Sequence, residues 1–267
     1  MKKKILILGS SGYIGKKLSI KFKKRFIIFN SINKKNKFVK VKKFLIKNKI
    51  KYIINLVNNN RQGIRMIRYN KNLLNIIKNQ DIKIIFFSTS LIYGLTNKPV
   101  NEQAKIKPFD DYTRNKSNIE KLYKNSKTNY KIIRLSNVYD DEFKKKGIFE
   151  NLINCVKKKN IYIKFNNLEI YRNFIHINDV VNMLEKLMLN YDTIEEKIIN
   201  FGGENLKLKK VITLFNKKFC TKIMIKINKD KVYDPSVKIN SKLSGKLFKY
   251  KKLTTLSETL NKFKIKK

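Results

Sequence analysis

Three glycines at the end of the first apolar run limit the folds open to this chain more than any other sequence feature. Ile5 to Leu8 is a short, branched apolar run, typical of a strand buried on both faces of a parallel sheet. The glycines follow it directly, at Gly9, Gly12 and Gly15. Ile14, Leu18 and Phe22 then recur every four residues, which predicts a helix. With only nine glycines in the chain, three at one strand-helix junction favour a phosphate-binding turn over a plain tight turn.

The same alternation of strand and helix continues for about 135 residues. Strands are expected at residues 26–29, 52–57, 82–87 and 130–135, with a short extra strand at Phe38 to Val41 and one more at Ile198 to Phe201. Helical stretches of ten or more residues separate most of them. This order predicts right-handed crossovers and a doubly wound parallel α/β sheet, followed by a smaller C-terminal region.

The charge of the chain is large but spread out. Lys and Arg number 63 against 19 Asp and Glu, a formal net charge of +44, yet only seven of the basic residues are Arg. A nucleic-acid-binding protein would be expected to favour Arg and to gather its charge in one stripe, whereas Lys runs from Lys2 to Lys267. We therefore expect no specific nucleic-acid partner.

Cysteine usage and hydropathy indicate the cellular compartment in which the protein is expected. Cys155 and Cys220 cannot form a disulfide framework, which favours a reducing environment. No stretch approaches the roughly 18 apolar residues that a membrane span needs. A cytoplasmic protein without a membrane span is the expectation.

Two polar segments fall where such a sheet would bind a ligand. Ser88 to Gly94 closes the strand at 82–87, at the carboxyl edge of the sheet. Tyr112 and Lys116 are four residues apart in a helical stretch, so their side chains share one helix face. An ammonium beside a phenol favours the phenolate, which can act as a base. Because the chain contains 56 Lys, this spacing of Tyr and Lys is expected somewhere by chance. The evidence for a functional pair is therefore its position in the chain.

Taken together, these segments resemble the extended short-chain dehydrogenase/reductases, specifically the NAD-dependent epimerase/dehydratase family that acts on nucleotide sugars. Further segments are similar to motifs of that family, namely residues 134–139, 172–180, 199–203, 241–243 and 254–260. The resemblance runs from Lys4 to about Phe263. It implies a Rossmann NAD(P)-binding domain at residues 1–140 and a mainly substrate-binding region at 141–267, from which a strand near 197–201 returns to the sheet.

The resemblance also implies roles for individual residues. Tyr112 would be the catalytic acid and base, Lys116 would lower its pKa and hold the nicotinamide ribose, and Thr89 would hydrogen bond the sugar. The remaining cofactor-binding positions would be Gly9, Ser11, Gly12, Tyr13, Ile14, Gly15 and Asn30. The substrate-binding positions would be Ser90, Asn137 and Arg172. His176 is the only histidine, which argues against a multi-histidine metal site, and we interpret it as a structural strand residue.

Two departures from the family pattern bear on the reaction. Dehydratases of the family place Asp-Glu after the hydroxyl residue, where this chain has Ser90 and Leu91, so a 4,6-dehydratase is not expected. The acidic residue that ends the second strand and binds the adenosine ribose is replaced by Asn30. NADP is thereby weakly favoured over NAD, with the lysines at 34, 35 and 37 as candidates to bind its phosphate.

Three functions remain open on the sequence. An NAD(P)-dependent nucleotide-sugar epimerase that passes through a keto sugar is marginally favoured. An NADPH-dependent keto-sugar reductase, similar to dehydrorhamnose reductases, is the first alternative. The second is a catalytically inactive dinucleotide-fold protein with a basic binding surface. By the same resemblance we expect a homodimer, formed through helices near residues 65–79 and 111–125, and a setting in polysaccharide biosynthesis.

Overall fold

The computed structural model describes residues 2–30, 38–57, 63–144, 147–158, 162–228 and 234–264. The strands are β1 (Lys4–Leu8), β2 (Ile27–Asn30), β3 (Tyr52–Asn55), β4 (Lys83–Thr89), β5 (Asn129–Leu135), β6 (Asn137–Tyr139), β7 (Tyr162–Phe165), β8 (Tyr171–His176), β9 (Ile198–Phe201), β10 (Glu204–Lys207) and β11 (Met224–Ile227). The helices are α1 (Tyr13–Phe22), α2 (Phe38–Lys47), α3 (Gly63–Ile77), α4 (Asp111–Lys124), α5 (Ile148–Lys157), α6 (Ile177–Leu189), α7 (Leu208–Phe219), α8 (Lys242–Phe248) and α9 (Leu256–Lys262).

The chain divides into two compact units. The first unit comprises Met1–Ile92, Pro108–Arg134 and Leu184–Ile199, and the second comprises Tyr93–Lys107, Leu135–Met183 and Asn200–Lys267. The six-stranded sheet has the order β2-β1-β3-β4-β5-β9. β1 pairs in parallel with both β2 and β3, and β3 pairs in parallel with β4. The doubly wound α/β fold expected from the sequence is confirmed.

The strand order places the glycine turn at the point where the winding of the sheet reverses. From β1 the chain first adds β2 on one side and then crosses to add β3 on the other. In open α/β sheets, ligands bind outside the carboxyl ends of the strands at such a switch point. Gly9 follows the carboxyl end of β1, and Leu56 follows that of β3.

The expected short strand at Phe38 to Val41 is wrong, because this segment is the start of helix α2. Alternating branched residues suggested a strand, but Val41, Phe44 and Leu45 continue the apolar pattern at helical spacing. Leu45 is fully buried in the core that α2 shares with α3 and α4. Packing of this apolar stripe outweighs the β preference of the first residues.

The core beside α2, α3 and α4 contains a closed network of neutral polar groups. The Asn55 side-chain amide donates to the Asn70 side chain at 2.9 Å and to the Tyr123 hydroxyl at 3.1 Å, and that hydroxyl donates to Asn70 at 3.1 Å. All three side chains are buried. Burial raises the pKa of Tyr123 far above its ordinary value, so its hydroxyl keeps its proton. The network joins β3, α3 and α4 at one point.

Lysines cover the amino ends of the strands at the opposite edge of the sheet. Lys3 Nζ donates to the carbonyl of Met188 at 2.7 Å, and Lys131 Nζ donates to that of Ile194 at 2.6 Å. The two ammonium groups also lie 4.9 Å and 4.8 Å from the ring centres of Tyr52 and Tyr191, respectively. The two lysine ammonium groups lose part of their hydration at this edge, and the carbonyl oxygens and aromatic faces compensate for that loss.

The second unit contains a three-stranded sheet of order β10-β8-β6 and a two-stranded parallel sheet, β11-β7. Its aromatic core includes Phe143, Phe149, Phe174 and Phe215. The helices expected to form a dimer contact are α3 and α4, close to their predicted limits. Dimerisation itself stays a prediction. Within the described residues, no helix is long and apolar enough to cross a membrane.

We expect Tyr123→Phe to lower the free energy of unfolding by about 1–2 kcal/mol, because both asparagines lose a buried hydrogen-bond partner. Urea titration followed by circular dichroism measures this loss. Tyr162→Phe is the matched control, since its ring is 48% exposed. Equal stability of the two variants would contradict a stabilising role for the network.

Candidate functional site

The glycine turn after β1 is tighter than any other residue type would allow. Gly9 has a φ of +84°, and the Gly12 amide donates to the Gly9 carbonyl at 3.0 Å. A Cβ on Gly15 would lie 2.3 Å from the Gly9 carbonyl oxygen and 2.7 Å from the Cα of Ser10. The turn and the first turn of α1 are therefore in direct backbone contact.

This turn leaves the amino end of α1 open to a ligand. Gly12 is the N-cap and is exposed, as is Ser11, and the first turn holds no acidic residue. The first amides of a helix have no partner within the helix, and its dipole favours negative charge there. Tyr13 and Ile14, both half-buried, form the first helical positions. The residues present fit the pyrophosphate of a dinucleotide.

Asn30 lies at the carboxyl end of β2 and is exposed. Its side-chain oxygen accepts a hydrogen bond from the Ser19 hydroxyl of α1 at 3.2 Å. This bond directs the amide oxygen toward α1 and leaves the amide nitrogen as the group that can donate to a ligand. The lysines at 34, 35 and 37 lie outside the described residues.

Lys116 is buried where α4 meets β4. Its Nζ donates to the carbonyl of Phe87 at 2.8 Å and lies 4.9 Å from the centre of the Phe86 ring. Burial lowers the pKa of Lys116 to about 8, and the charge of Glu120 opposes this shift. The ammonium form therefore dominates below about pH 8 and is lost above it.

Tyr112 precedes Lys116 by one turn, as the second residue of α4. Asp110 caps this helix through a 2.7 Å bond from the Thr113 amide, and the Thr113 hydroxyl accepts from the Asp110 amide in return. The capping box fixes where α4 begins. Tyr112 is half-buried and lies at the positive end of the helix dipole, which favours a phenolate.

The hydroxyl residues of the site lie at the carboxyl end of β4. Thr89 is the last residue of this strand, and its side-chain oxygen accepts from the Leu91 amide at 3.3 Å. Ser90 begins a short 3₁₀ turn and is buried. The Ser88 hydroxyl is also buried, and among the described residues it has no hydrogen-bond partner. The Phe87 carbonyl that binds Lys116 is two residues from Thr89, so this unit brings the three predicted catalytic residues onto adjoining elements.

Asn137 and Arg172 belong to the second unit. The Asn137 amide donates to the Asn173 carbonyl at 3.0 Å, between β6 and β8. The Arg172 guanidinium donates to the Asp234 carboxylate and to the Pro235 carbonyl. Burial lowers the pKa of Arg172, and the charge of Asp234 opposes this shift. These contacts occupy both terminal nitrogens of the guanidinium.

His176 ends β8 and is 1% exposed. Its Nδ1 accepts from the Asn178 amide at 3.3 Å, its Nε2 lies 3.2 Å from an Asp141 carboxylate oxygen, and its ring meets Tyr139 edge-on at 5.2 Å. These contacts agree with a structural role. The described residues contain no group of three His, Cys, Asp or Glu able to hold a metal ion.

Glu120 lies one turn after Lys116 on α4 and is buried, and it was not among the residues predicted for the site. It forms an ion pair with Arg134 of β5, with nitrogen-to-oxygen distances of 3.1 and 2.8 Å. The sequence signal that could have identified Glu120 is its spacing: Tyr112, Lys116 and Glu120 follow one another at intervals of four residues and so share one helix face.

Gly15→Ala should lower the free energy of unfolding by about 1–3 kcal/mol, because the new methyl group overlaps backbone atoms of the turn. Gly245→Ala is the matched control. It lies inside α8, where a Cβ would have its nearest neighbour at 3.5 Å, so its stability should stay equal or rise slightly. Urea unfolding compares them, and similar stability would argue against a close-packed turn.

Comparison with known proteins identifies a family model that matches most of the chain. The model of the NAD dependent epimerase/dehydratase family matches residues 5–202. The GDP-6-deoxy-D-talose 4-dehydrogenase of Aggregatibacter actinomycetemcomitans is 26% identical over 217 residues, covering 74% of this chain and 73% of that protein.

Solved structures share the fold at low sequence identity. The UDP-glucuronic acid 4-epimerase of Bacillus cereus, in complex with UDP-glucuronic acid and NAD, superposes with a TM-score of 0.81 at 20% identity over 96% of each chain. The dTDP-glucose 4,6-dehydratase of Bacillus anthracis str. Ames, in complex with NAD, has a TM-score of 0.81 at 16% identity, covering 97% of this chain and 94% of its own. With the family model matching most of its length, the chain belongs to the NAD dependent epimerase/dehydratase family.

Proposed function

We propose that this protein oxidises or reduces a hydroxyl-bearing ring carbon of a nucleotide-activated sugar, with a nicotinamide dinucleotide as cofactor. The observation that carries the proposal is the buried Lys116, bound to β4 beside Thr89 and one helical turn from Tyr112. In a family of NAD-dependent enzymes, this arrangement is suited to moving a proton on and off a sugar hydroxyl.

The cofactor would be held mainly by the backbone. Gly9, Gly12 and Gly15 allow the pyrophosphate to approach the amino end of α1, together with Ser11, Tyr13 and Ile14. Asn30 would face the adenosine ribose, and Lys116 the nicotinamide ribose. When bound, the nicotinamide supplies the acceptor or donor of hydride.

The side chains of this protein would manage the proton and the orientation of the sugar. In the oxidising direction, Tyr112 as phenolate accepts the proton of the sugar hydroxyl at its Oη, and in reduction it returns that proton. The Lys116 ammonium and the dipole of α4 favour the phenolate before the proton arrives. The Thr89 hydroxyl binds the reacting oxygen, and Ser90 contacts the sugar beside it.

Arg172 and Asn137 would bind the nucleotide part of the substrate. A guanidinium fork is suited to a diphosphate. The present partner of Arg172 is Asp234, so a diphosphate would have to replace that carboxylate. Asn137 donates to a backbone carbonyl and would contribute its remaining amide hydrogen or its oxygen.

Two kinds of enzyme use this oxidation or reduction of a sugar carbon. An epimerase oxidises and then reduces the sugar from the other face in one binding event, and this is the first candidate. A one-way keto-sugar reductase or 4-dehydrogenase is the second. The sequence similarity to a GDP-6-deoxy-D-talose 4-dehydrogenase and the absence of an acidic residue at Asn30 favour it. A 4,6-dehydratase is not proposed, because Ser90 and Leu91 offer neither of the carboxyl groups that elimination uses in this family.

We expect Tyr112→Phe to reduce the turnover of nucleotide sugars by about 10²- to 10⁴-fold while leaving dinucleotide affinity nearly unchanged, because only the proton-transfer group is lost. Steady-state assays on keto-sugar and epimer pairs measure the first quantity, and calorimetry measures the second. Tyr162→Phe serves as the control. Full activity in Tyr112→Phe would contradict the role of Tyr112 as the proton-transfer group, whereas absence of turnover in the unmodified protein on every such pair would favour the catalytically inactive binding protein.

The dinucleotide content of the purified protein separates the two reactions. Mass spectrometry of the material released on denaturation should find stoichiometric NAD if the protein is a self-contained epimerase. A protein that is isolated empty and binds NADPH more tightly than NADH by calorimetry would be a reductase. Asn30→Asp should then weaken NADPH binding by about tenfold or more, because a carboxylate repels the 2′-phosphate.

A further inference from the structure

A buried ion pair lies one helical turn from Lys116. Glu120 and Arg134 are both almost fully buried, and the guanidinium binds the two carboxylate oxygens through Nε and a terminal nitrogen. Lys124 approaches the same carboxylate at 3.8 Å from the partly exposed side. The pair fastens α4 to β5.

A buried ion pair by itself is weak support for stability, because the cost of desolvating both charges offsets their attraction. An apolar pair of similar volume would fasten the two elements equally well. Packing alone therefore does not explain why an ion pair lies at this position. Glu120 follows Lys116 by four residues on the same face of α4, and its charge favours the ammonium form of that lysine.

Among the residues that the structure describes, few other charged groups lie on the elements packed around Lys116. β4 provides the Phe87 carbonyl and the Phe86 ring. α3, which packs against α4, carries the titratable Tyr69, and burial raises the pKa of this tyrosine to about 12, so it is neutral. Arg134 is bonded to Glu120, and its positive charge partly offsets the effect of that carboxylate on Lys116. Along α4, Tyr112 lies one turn before Lys116.

The two hydrogen bonds from Arg134 also restrain Glu120. A mobile carboxylate would attract Lys116 and draw its Nζ away from β4. Both carboxylate oxygens are bound by the guanidinium, so Glu120 is held in place and acts on Lys116 through its field. In the described part of the chain, Lys116 and Glu120 form no direct ion pair, and Lys116 Nζ stays on the Phe87 carbonyl.

We propose that Glu120, held by Arg134, is the positioning residue of this site: it keeps Lys116 in its ammonium form and directed at the carboxyl end of β4. The charge effect does not depend on any ligand. Its consequence for turnover rests on the proposed function, in which the Lys116 ammonium favours the Tyr112 phenolate.

The test measures the protonation of Lys116 directly, without cofactor. In protein labelled with ¹³C at the lysine ε-carbon, the Lys116 resonance is assigned by its loss in Lys116→Met, and the Phe86 ring should separate it from the other lysines. Its titration midpoint should lie near pH 8 in the unmodified protein. In Glu120→Gln the midpoint should fall by about one pH unit.

Because Glu120→Gln leaves Arg134 buried without a counter-charge, a double variant keeps the test decisive. Glu120→Leu with Arg134→Met replaces the pair by apolar side chains of similar size and should fold. Its Lys116 midpoint should fall by less than in Glu120→Gln, because the opposing charge of Arg134 is removed together with that of Glu120. Asp81→Asn, which removes an exposed carboxylate paired with Lys51, is the control and should leave the midpoint unchanged. A folded double variant with the midpoint of the unmodified protein would overturn the proposal.

The pH dependence of kcat/KM then distinguishes this inference from the proposed function. If both hold, the decline of kcat/KM at high pH moves to lower pH together with the Lys116 midpoint. If the midpoint moves and the rate profile does not, Glu120 controls Lys116 as proposed, and the assigned role of Lys116 in turnover is wrong.

Discussion

The contact between the Lys116 ammonium and the Phe87 carbonyl is the constraint on which the candidate site depends. It fixes one face of α4 against the carboxyl end of β4, and that face carries Tyr112 one turn earlier. The charge is buried, so its protonation responds to every neighbouring group. Glu120, one turn later and bound by Arg134 of β5, has the charge that opposes the effect of this burial. The site is therefore a row of charged and titratable side chains along a single helix, aligned by one hydrogen bond to the sheet.

The fold and the glycine turn after β1 could be predicted from the sequence because both depend on local patterns. Gly9, Gly12 and Gly15 follow a buried strand, and the Tyr112 and Lys116 spacing lies within one helix. The strand predicted at Phe38 to Val41 was wrong. Branched residues alternate there and suggest a strand, but the packing of the later residues of the segment makes it a helix. The partners of Glu120 and Arg172 could not be predicted, since each lies on an element distant in sequence.

The lysine-rich composition is compatible with this fold because the buried lysines have specific partners. Lys3 and Lys131 bind backbone carbonyls and tyrosine rings at the amino ends of the strands, and Lys116 binds a carbonyl near the opposite ends. The other lysines that the structure describes are partly or fully exposed. A field of this sign attracts dinucleotides and nucleotide sugars, which are both anionic, without any specific contact.

The neutral network of Asn55, Asn70 and Tyr123 has a consequence for how the molecule responds to its surroundings. In a chain of net charge +44, interactions among exposed charges weaken as ionic strength rises, because counter-ions screen them. The network contains no formal charge and is sealed from solvent. Salt can therefore change the attraction of anionic ligands while β3 and α4, and with them the glycine turn after β1 and Tyr112, keep their alignment.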